Sequence, residues 1–194
     1  MTLQELNSAC ERLEAAQACR NLVGRLSYYD SAFRINDMLE LWDTTGEALL
    51  QLPDHTYRGY EEIRSALLRR GDRNAPGMAI QMRGVLRIHN MNSDLLEISA
   101  DCAHAHGTWF SPGLETELYN PEDPTAVPDK TDTSKLEASA SYIWQEYAVD
   151  FVKRTNGWKI QKLTVRTFFD TPFDTPWSEC SNTLWAPDHV IHEM

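Results

Sequence analysis

The stretch from Ser139 to about Phe169 constrains this chain more than any other. It reads as two long strands, Ser139 to Arg154 and then Gly157 onward, rich in aromatic and β-branched residues. Asn156-Gly157 between them supplies the positive-φ residues of a tight hairpin turn. Strands this long bend, and a bent sheet needs something on its concave side. In a small domain that filler is helices plus a pocket. The functional question is therefore what the pocket holds.

With 194 residues the chain can bury one real core, and its 42% apolar content is that of an ordinary globular protein. No apolar run is long enough to span a bilayer, and Thr2-Leu3-Gln4-Glu5 does not open a secretory signal, so a cytoplasmic location is expected. Eighteen Lys and Arg against 29 Asp and Glu give a net charge of -11, which opposes nucleic acid and anionic membranes as partners. Cys10, Cys19, Cys102 and Cys180 lack C-x-x-C spacing and read as reduced thiols.

Thr2 and Glu5 match a capping box, so a helix begins at once. A stripe of Cys19, Leu22, Val23, Leu26, Tyr29, Asp30 and Phe33 shares one helical face. A short helix follows Asn36, a strand runs from Glu47 to Leu52, and a helix carries Ile63, Ala66, Leu67 and Leu68. Strands are expected at Met82–Met91, Leu95–Ser99 and Cys102–Phe110. Glu115 to Glu137 holds three prolines, seven acids and two lysines, and reads as a long mobile loop or flap. The aromatic tail, with Phe173, Trp177 and Trp185, should pack on the body or on a neighbouring subunit. This order of helices then antiparallel strands is α+β. The expected layout is a helical extension at 1–14, a domain at 15–178 containing the 115–137 loop, and a tail at 179–194.

Several residues carry chemistry. Asp30 lies on a buried helical face, where desolvation would raise its pKa, or where Arg34 would pair with it. Tyr29 shares that face. Alternation puts Arg87, His89 and Met91 on one face of a strand, and an imidazole held by a carboxylate is a general base near neutral pH. His104 and His106 form H-x-H, which without further ligands reads as outer-face polar residues rather than a metal site. Arg166 would hold a substrate oxyanion or pair with Asp30 or Asp150. Trp109, Trp144, Tyr147 and Trp158 are candidates for core or pocket wall. No phosphate-binding glycine loop and no G-x-S-x-G occurs.

Ser27-Tyr28-Tyr29-Asp30-Ser31, Tyr57-Arg58-Gly59-Tyr60-Glu61-Glu62-Ile63, Gly107-Thr108-Trp109-Phe110-Ser111-Pro112-Gly113, and Tyr147 to Lys153 with Gly157-Trp158-Lys159-Ile160 together resemble the SnoaL-like branch of the nuclear transport factor 2-like (NTF2-like) superfamily. The resemblance covers roughly residues 15 to 178. It implies a cone: helices packed on a highly curved, mostly antiparallel sheet with a central pocket. The site resembles that of the scytalone dehydratase and bile-acid dehydratase type, whose tyrosine, aspartate and histidine match Tyr29, Asp30 and His89. Such enzymes need no metal and no organic cofactor. They carry a second His or Asp where this chain has Gly113, which leaves His106 or Glu115 as its replacement.

The resemblance therefore implies a cofactor-independent lyase on a small apolar, aromatic or polycyclic molecule, a dehydratase or a retro-aldol aldehyde-lyase. The expected catalytic set is Tyr29, Asp30, His89, His106 and Arg166, with His89 as base oriented by Asp30. Phe33, Trp109, Trp144 and Tyr147 would bind substrate. An isomerase or cyclase of the ketosteroid isomerase or polyketide cyclase kind, and a non-catalytic binding module, stand as alternatives. A homodimer or homotrimer through the outer sheet face is expected.

Overall fold

The computed structural model describes residues 2–72, 74–76, 80 and 82–179. Helix α1 runs from Leu3 to Ser31. Thr2 and Glu5 form the reciprocal capping box: Thr2 Oγ1 accepts from the Glu5 amide at 3.2 Å, and the Thr2 amide donates to Glu5 at 2.7 Å. Burial starts only at Ala15 and continues through Cys19, Leu22, Val23 and Leu26. Burial in apolar surroundings also pushes the Cys19 thiol up to about 12, so this cysteine stays protonated.

The remaining elements are α2 (Ile35–Leu39), β1 (Leu49–Gln51), β2 (Thr56–Arg58), α3 (Tyr60–Arg69), β3 (Leu86–His89), β4 (Asn92–Ile98), β5 (His104–Tyr119), β6 (Glu137–Arg154) and β7 (Gly157–Pro172). They form a seven-stranded sheet in the order β2-β1-β7-β6-β5-β3, with β4 also paired to β5. Every pairing is antiparallel except β1 with β7. The sheet is curved and unclosed, with the helices on its concave side. Bulges between Trp144 and Gln145 and between Asp150 and Phe151 interrupt the β6–β7 ladder, and bulges increase bend and twist. The core joins Val23 and Leu26 of α1, Ile63 of α3 and Trp42 to Val149, Phe151 and Ile160 of the sheet.

Three expectations need correction. At the hairpin tip Arg154 pairs with Gly157, so Thr155 and Asn156 are the loop residues. Gly157 is the left-handed residue, at φ 106°, and Asn156 is not left-handed. A single glycine at the start of the return strand is enough to turn this hairpin. The 115–137 stretch is not one loop: β5 continues to Tyr119 and β6 opens at Glu137, with Tyr119 opposite Glu137. Strand pairing wins there because β6 offers a partner for each residue up to Tyr119, whatever its charge. The strand expected from Met82 begins at Leu86.

In the tail, Phe173 stacks on Tyr142 with ring centroids 5.1 Å apart. Trp185, Cys180 and the side chain of Trp177 lie outside the described residues. No described helix is long and apolar enough to cross a membrane.

Candidate active site

The curvature of the sheet leaves a cavity of about 250 Å³ between the concave face and the helices. Most of its wall is apolar, with Leu26 of α1, Met38 of α2, and Leu163 and Val165 of β7. Into it project Asp30, Arg70, Arg87, His89, Glu115, Gln145 and Tyr147. Each of these polar groups has a structural reason for its position.

Strand β3 pairs with β5 so that His89 faces Gly113 and Arg87 faces Glu115. Cross-strand partners share a face of the sheet, so the side chains of Arg87 and Glu115 meet at 3.3 Å. His89 Nε2 reaches the same carboxylate oxygen at 2.9 Å. The hydrogen bond from His89 is the largest cause holding the Glu115 carboxyl below its usual range; burial opposes it, and the charge of Arg87 adds to it. An ionised carboxylate only accepts, so Nε2 carries the hydrogen of this bond. The Ser27 hydroxyl donates to the His89 carbonyl and ties β3 to α1.

Gly113 explains how the imidazole fits. A Cβ built there would lie 2.9 Å from His89 Nδ1, 2.8 Å from the Ile88 carbonyl and 2.7 Å from Ile143. The position that the family resemblance gives to a second acid or histidine is thus occupied by the ring of His89 itself. The carboxylate sits two residues further on, on the same face, as Glu115. His89 Nδ1 is buried without a protein hydrogen-bond partner.

Asp30 comes from the last turn of α1 and forms an ion pair with Arg70 Nη2 at 2.8 Å. It is held by Arg70 at the end of α3, while Arg34 binds Asp37 instead. The imidazole is oriented by Glu115 and not by Asp30. Tyr147 donates its hydroxyl hydrogen to Gln145 at 3.2 Å, and Gln145 donates in turn to Thr167 at 3.1 Å. Burial first, and the charge of Asp30 second, raise the Tyr147 phenol well above its ordinary value. It therefore remains a hydrogen-bond donor at neutral pH.

The other expected residues lie elsewhere. Tyr29 packs beside the core with the Arg34 guanidinium 4.9 Å from its ring centre, and it is not among the residues lining the cavity. His106 is 55% exposed on the convex face and bonds Asp150. Arg166 pairs across the ladder with Glu146 at 2.7 Å, neither with Asp30 nor with Asp150. Trp109 is core, edge-on to Phe151 and lying over Gly107. Trp144 is 39% exposed on the convex face, stacked with Phe169. Phe33 borders a second, outer cavity. Among the described residues no group of three metal-ligating side chains converges.

Sequence reasoning missed Arg70 and Gln145, and named Glu115 only as a substitute. One signal was present. Glu115 and Gly113 are an even number of residues from Trp109 and share its face, whereas His106 is an odd number away and does not. The same count separates Trp144 from Tyr147. Nothing local marks Arg70, whose role depends on where α3 ends relative to α1.

A family model described as a SnoaL-like domain matches residues 11–164. No curated protein matches this chain in sequence. Among solved structures it is similar to the hexachlorocyclohexane dehydrochlorinase LinA-type3 from Novosphingobium barchaimii LL02 at 19% identity and a TM-score of 0.60, covering 87% of this chain and 96% of that one. A provisionally assigned scytalone dehydratase from Novosphingobium aromaticivorans matches at 13% identity and a TM-score of 0.60, over 92% of this chain and 98% of that one. An NTF2-like protein with a cystatin-like fold, also from Novosphingobium aromaticivorans, matches at 12% identity and a TM-score of 0.53, over 95% and 98%. At these identities the likeness concerns the fold.

Proposed function

This chain belongs to the SnoaL-like family, and from that premise we propose that it is a cofactor-independent lyase acting on a small apolar ring molecule by proton abstraction and elimination. One observation carries the reading: a carboxylate–imidazole pair, a phenol donor and an arginine line one largely apolar hollow. The solved relatives named for dehydrochlorination and scytalone dehydration support it as proteins of the same fold.

The roles follow from exposure and hydrogen bonding. The Glu115 side chain is 34% exposed and His89 is almost fully buried, so the carboxylate is the member of the pair that meets substrate. His89 is its positioning partner, donating the hydrogen bond that holds the carboxylate in place. The pair takes the proton next to a substrate carbonyl. The Tyr147 hydroxyl donates to the carbonyl oxygen as negative charge builds there. Arg70, fixed by Asp30, adds positive charge on the same side. The electron pair of the broken C–H bond forms the new double bond, and a β-hydroxyl leaves. It takes back the proton held by the pair and departs as water.

The test is incubation of the full chain with cyclic β-hydroxy ketones in D₂O, read by mass spectrometry. The expected result is loss of one water, with solvent deuterium entering recovered substrate, and neither event with Glu115→Gln. Recovered substrate that gains deuterium with no loss of water would replace elimination by proton transfer of the isomerase kind. No exchange with any ring ketone would leave a binding module.

A further inference from the structure

Helix α1 stops on a residue that does not suit the stop. The Arg34 amide donates to the Tyr29 carbonyl at 2.8 Å, and the Phe33 amide donates to the Asp30 carbonyl at 3.0 Å. This pair of bonds ends many helices, and it places the first residue beyond the cap in the left-handed conformation, where glycine is usual. Here that residue is Phe33, at φ 53°. A bulky side chain is strained in this conformation because its Cβ crowds the backbone. Glycine would end the helix without strain, so helix termination does not account for the phenyl ring.

Core packing does not account for it either. Phe33 is buried, yet it lies outside the cluster that joins α1, α3 and the sheet. The Arg87 guanidinium carbon lies 5.7 Å from the centre of its ring, within the range of cation–π attraction. Arg87 also meets Glu115 at 3.3 Å. A planar guanidinium can rest on an aromatic face while its N–H groups turn to a carboxylate. Arg87 borders both the inner cavity and the outer one of about 740 Å³. An unsupported side chain there would have open space to swing into.

We propose that Phe33 is a positioning residue for the elimination, whose ring holds the Arg87 guanidinium against the Glu115 carboxylate. This inference rests on the proposed function for the role of Glu115. The last turn of α1 then serves both arginines of the inner cavity: Asp30 fixes Arg70, and Phe33, three residues on, fixes Arg87. Strained backbone persists where the surrounding structure needs the side chain in that place.

The charged and titratable groups that share the inner cavity with Glu115 are Arg87 and His89 of β3, Arg70 at the end of α3, Tyr147 of β6, Asp30 of α1 and Asp54 of the β1–β2 turn. Of the cations, Arg87 is the one that Phe33 touches. The test is a carbon-13 NMR titration of the Glu115 carboxyl in the full chain without substrate, with the signal assigned by its loss in Glu115→Gln. Loosening a cation beside a carboxylate raises its pKa, so Phe33→Gly and Phe33→Leu should each raise it by about 0.5, whereas Phe33→Tyr, which keeps the ring, should stay within about 0.2 of the parent. Glycine suits the left-handed backbone and leucine keeps apolar bulk, so a folding defect in one variant does not silence the other. With a substrate in hand, Phe33→Gly should also lose about tenfold in kcat/KM, carried by kcat. A merely structural Phe33 would lower the melting temperature of the glycine and leucine variants and leave the Glu115 titration at its parent value, and that result overturns the proposal. An equal rise in Phe33→Tyr overturns it as well. The titration needs no turnover, so the expected rise in a protein that eliminates nothing removes only the lyase reading. Elimination by a protein whose Glu115 titration ignores Phe33 removes only the positioning role.

Discussion

The sheet carries the same chemical pair twice. On its concave face His89 Nε2 meets Glu115 at 2.9 Å; on its convex face His106 Nδ1 meets Asp150 at 2.5 Å. Both imidazoles are aligned by β5, one as a member of it and the other as a residue on its neighbour. Their surroundings differ. His89 is sealed under α1, and its carboxylate also touches Arg87 beside an apolar cavity. His106 stands in solvent. Water screens the outer pair and competes for its hydrogen bond, so it is worth at most about 1 kcal/mol. Behind α1 the same contact acts in a lower dielectric and borders the inner cavity. Residue type and spacing supply the pair; enclosure decides what the pair can do.

The largest expected difference is in turnover. Once a substrate is in hand, Glu115→Gln and His89→Ala should each lower kcat/KM by about a hundredfold or more, in line with loss of a general acid–base group. His106→Ala should change it less than twofold. Equal losses in the two imidazole variants would erase the distinction between the faces.

Next in size is Gly113→Ala. The added methyl meets His89, Ile143 and the Ile88 carbonyl within 3 Å, so overpacking should cost about 1–3 kcal/mol. The melting temperature should fall, and activity should fall with it as the ring is displaced from Glu115. An unchanged melting temperature would mean that β3 shifts freely.

A smaller effect concerns acid. Because Glu115 is held below its ordinary value of 4.5 in the folded protein, it contributes stability above that value. The contribution disappears as pH falls through 4.5 and then through the depressed folded value. Denaturant titrations should therefore show the stability gap between the parent and Glu115→Gln closing on acidification. For His106→Ala the difference from the parent should stay within about 1 kcal/mol across the same range and shrink further in salt. A gap for Glu115→Gln that widens in acid would reverse the sign assigned to this group.

Much of the scaffold was legible because its signals are local. The capping box at Thr2, the helical stripe through Cys19 and Leu26, and the strand alternation that put Arg87, His89 and Met91 together depend only on neighbours in sequence. The site was legible in part for the same reason. Asp30 and His89 could be picked out because a charged or titratable residue on an apolar face is conspicuous. Glu115 was hidden in a stretch whose prolines and acids read as loop. Its strand character comes from β6, more than 20 residues away in sequence. Trp144 and Tyr147 looked alike as aromatics, yet sit on opposite faces of one strand.

The sequence by itself determined the family and most of the helices and strands, because periodicity and turn chemistry act over a few residues. Only the tertiary structure decided that Glu115 and not Asp30 holds the imidazole, that Arg70 holds Asp30, and that Gly113 makes room for a ring. Those choices depend on strand register and on where α3 stops against α1. Ångström-scale distances between remote segments are set by packing of the whole core and have no counterpart in local sequence.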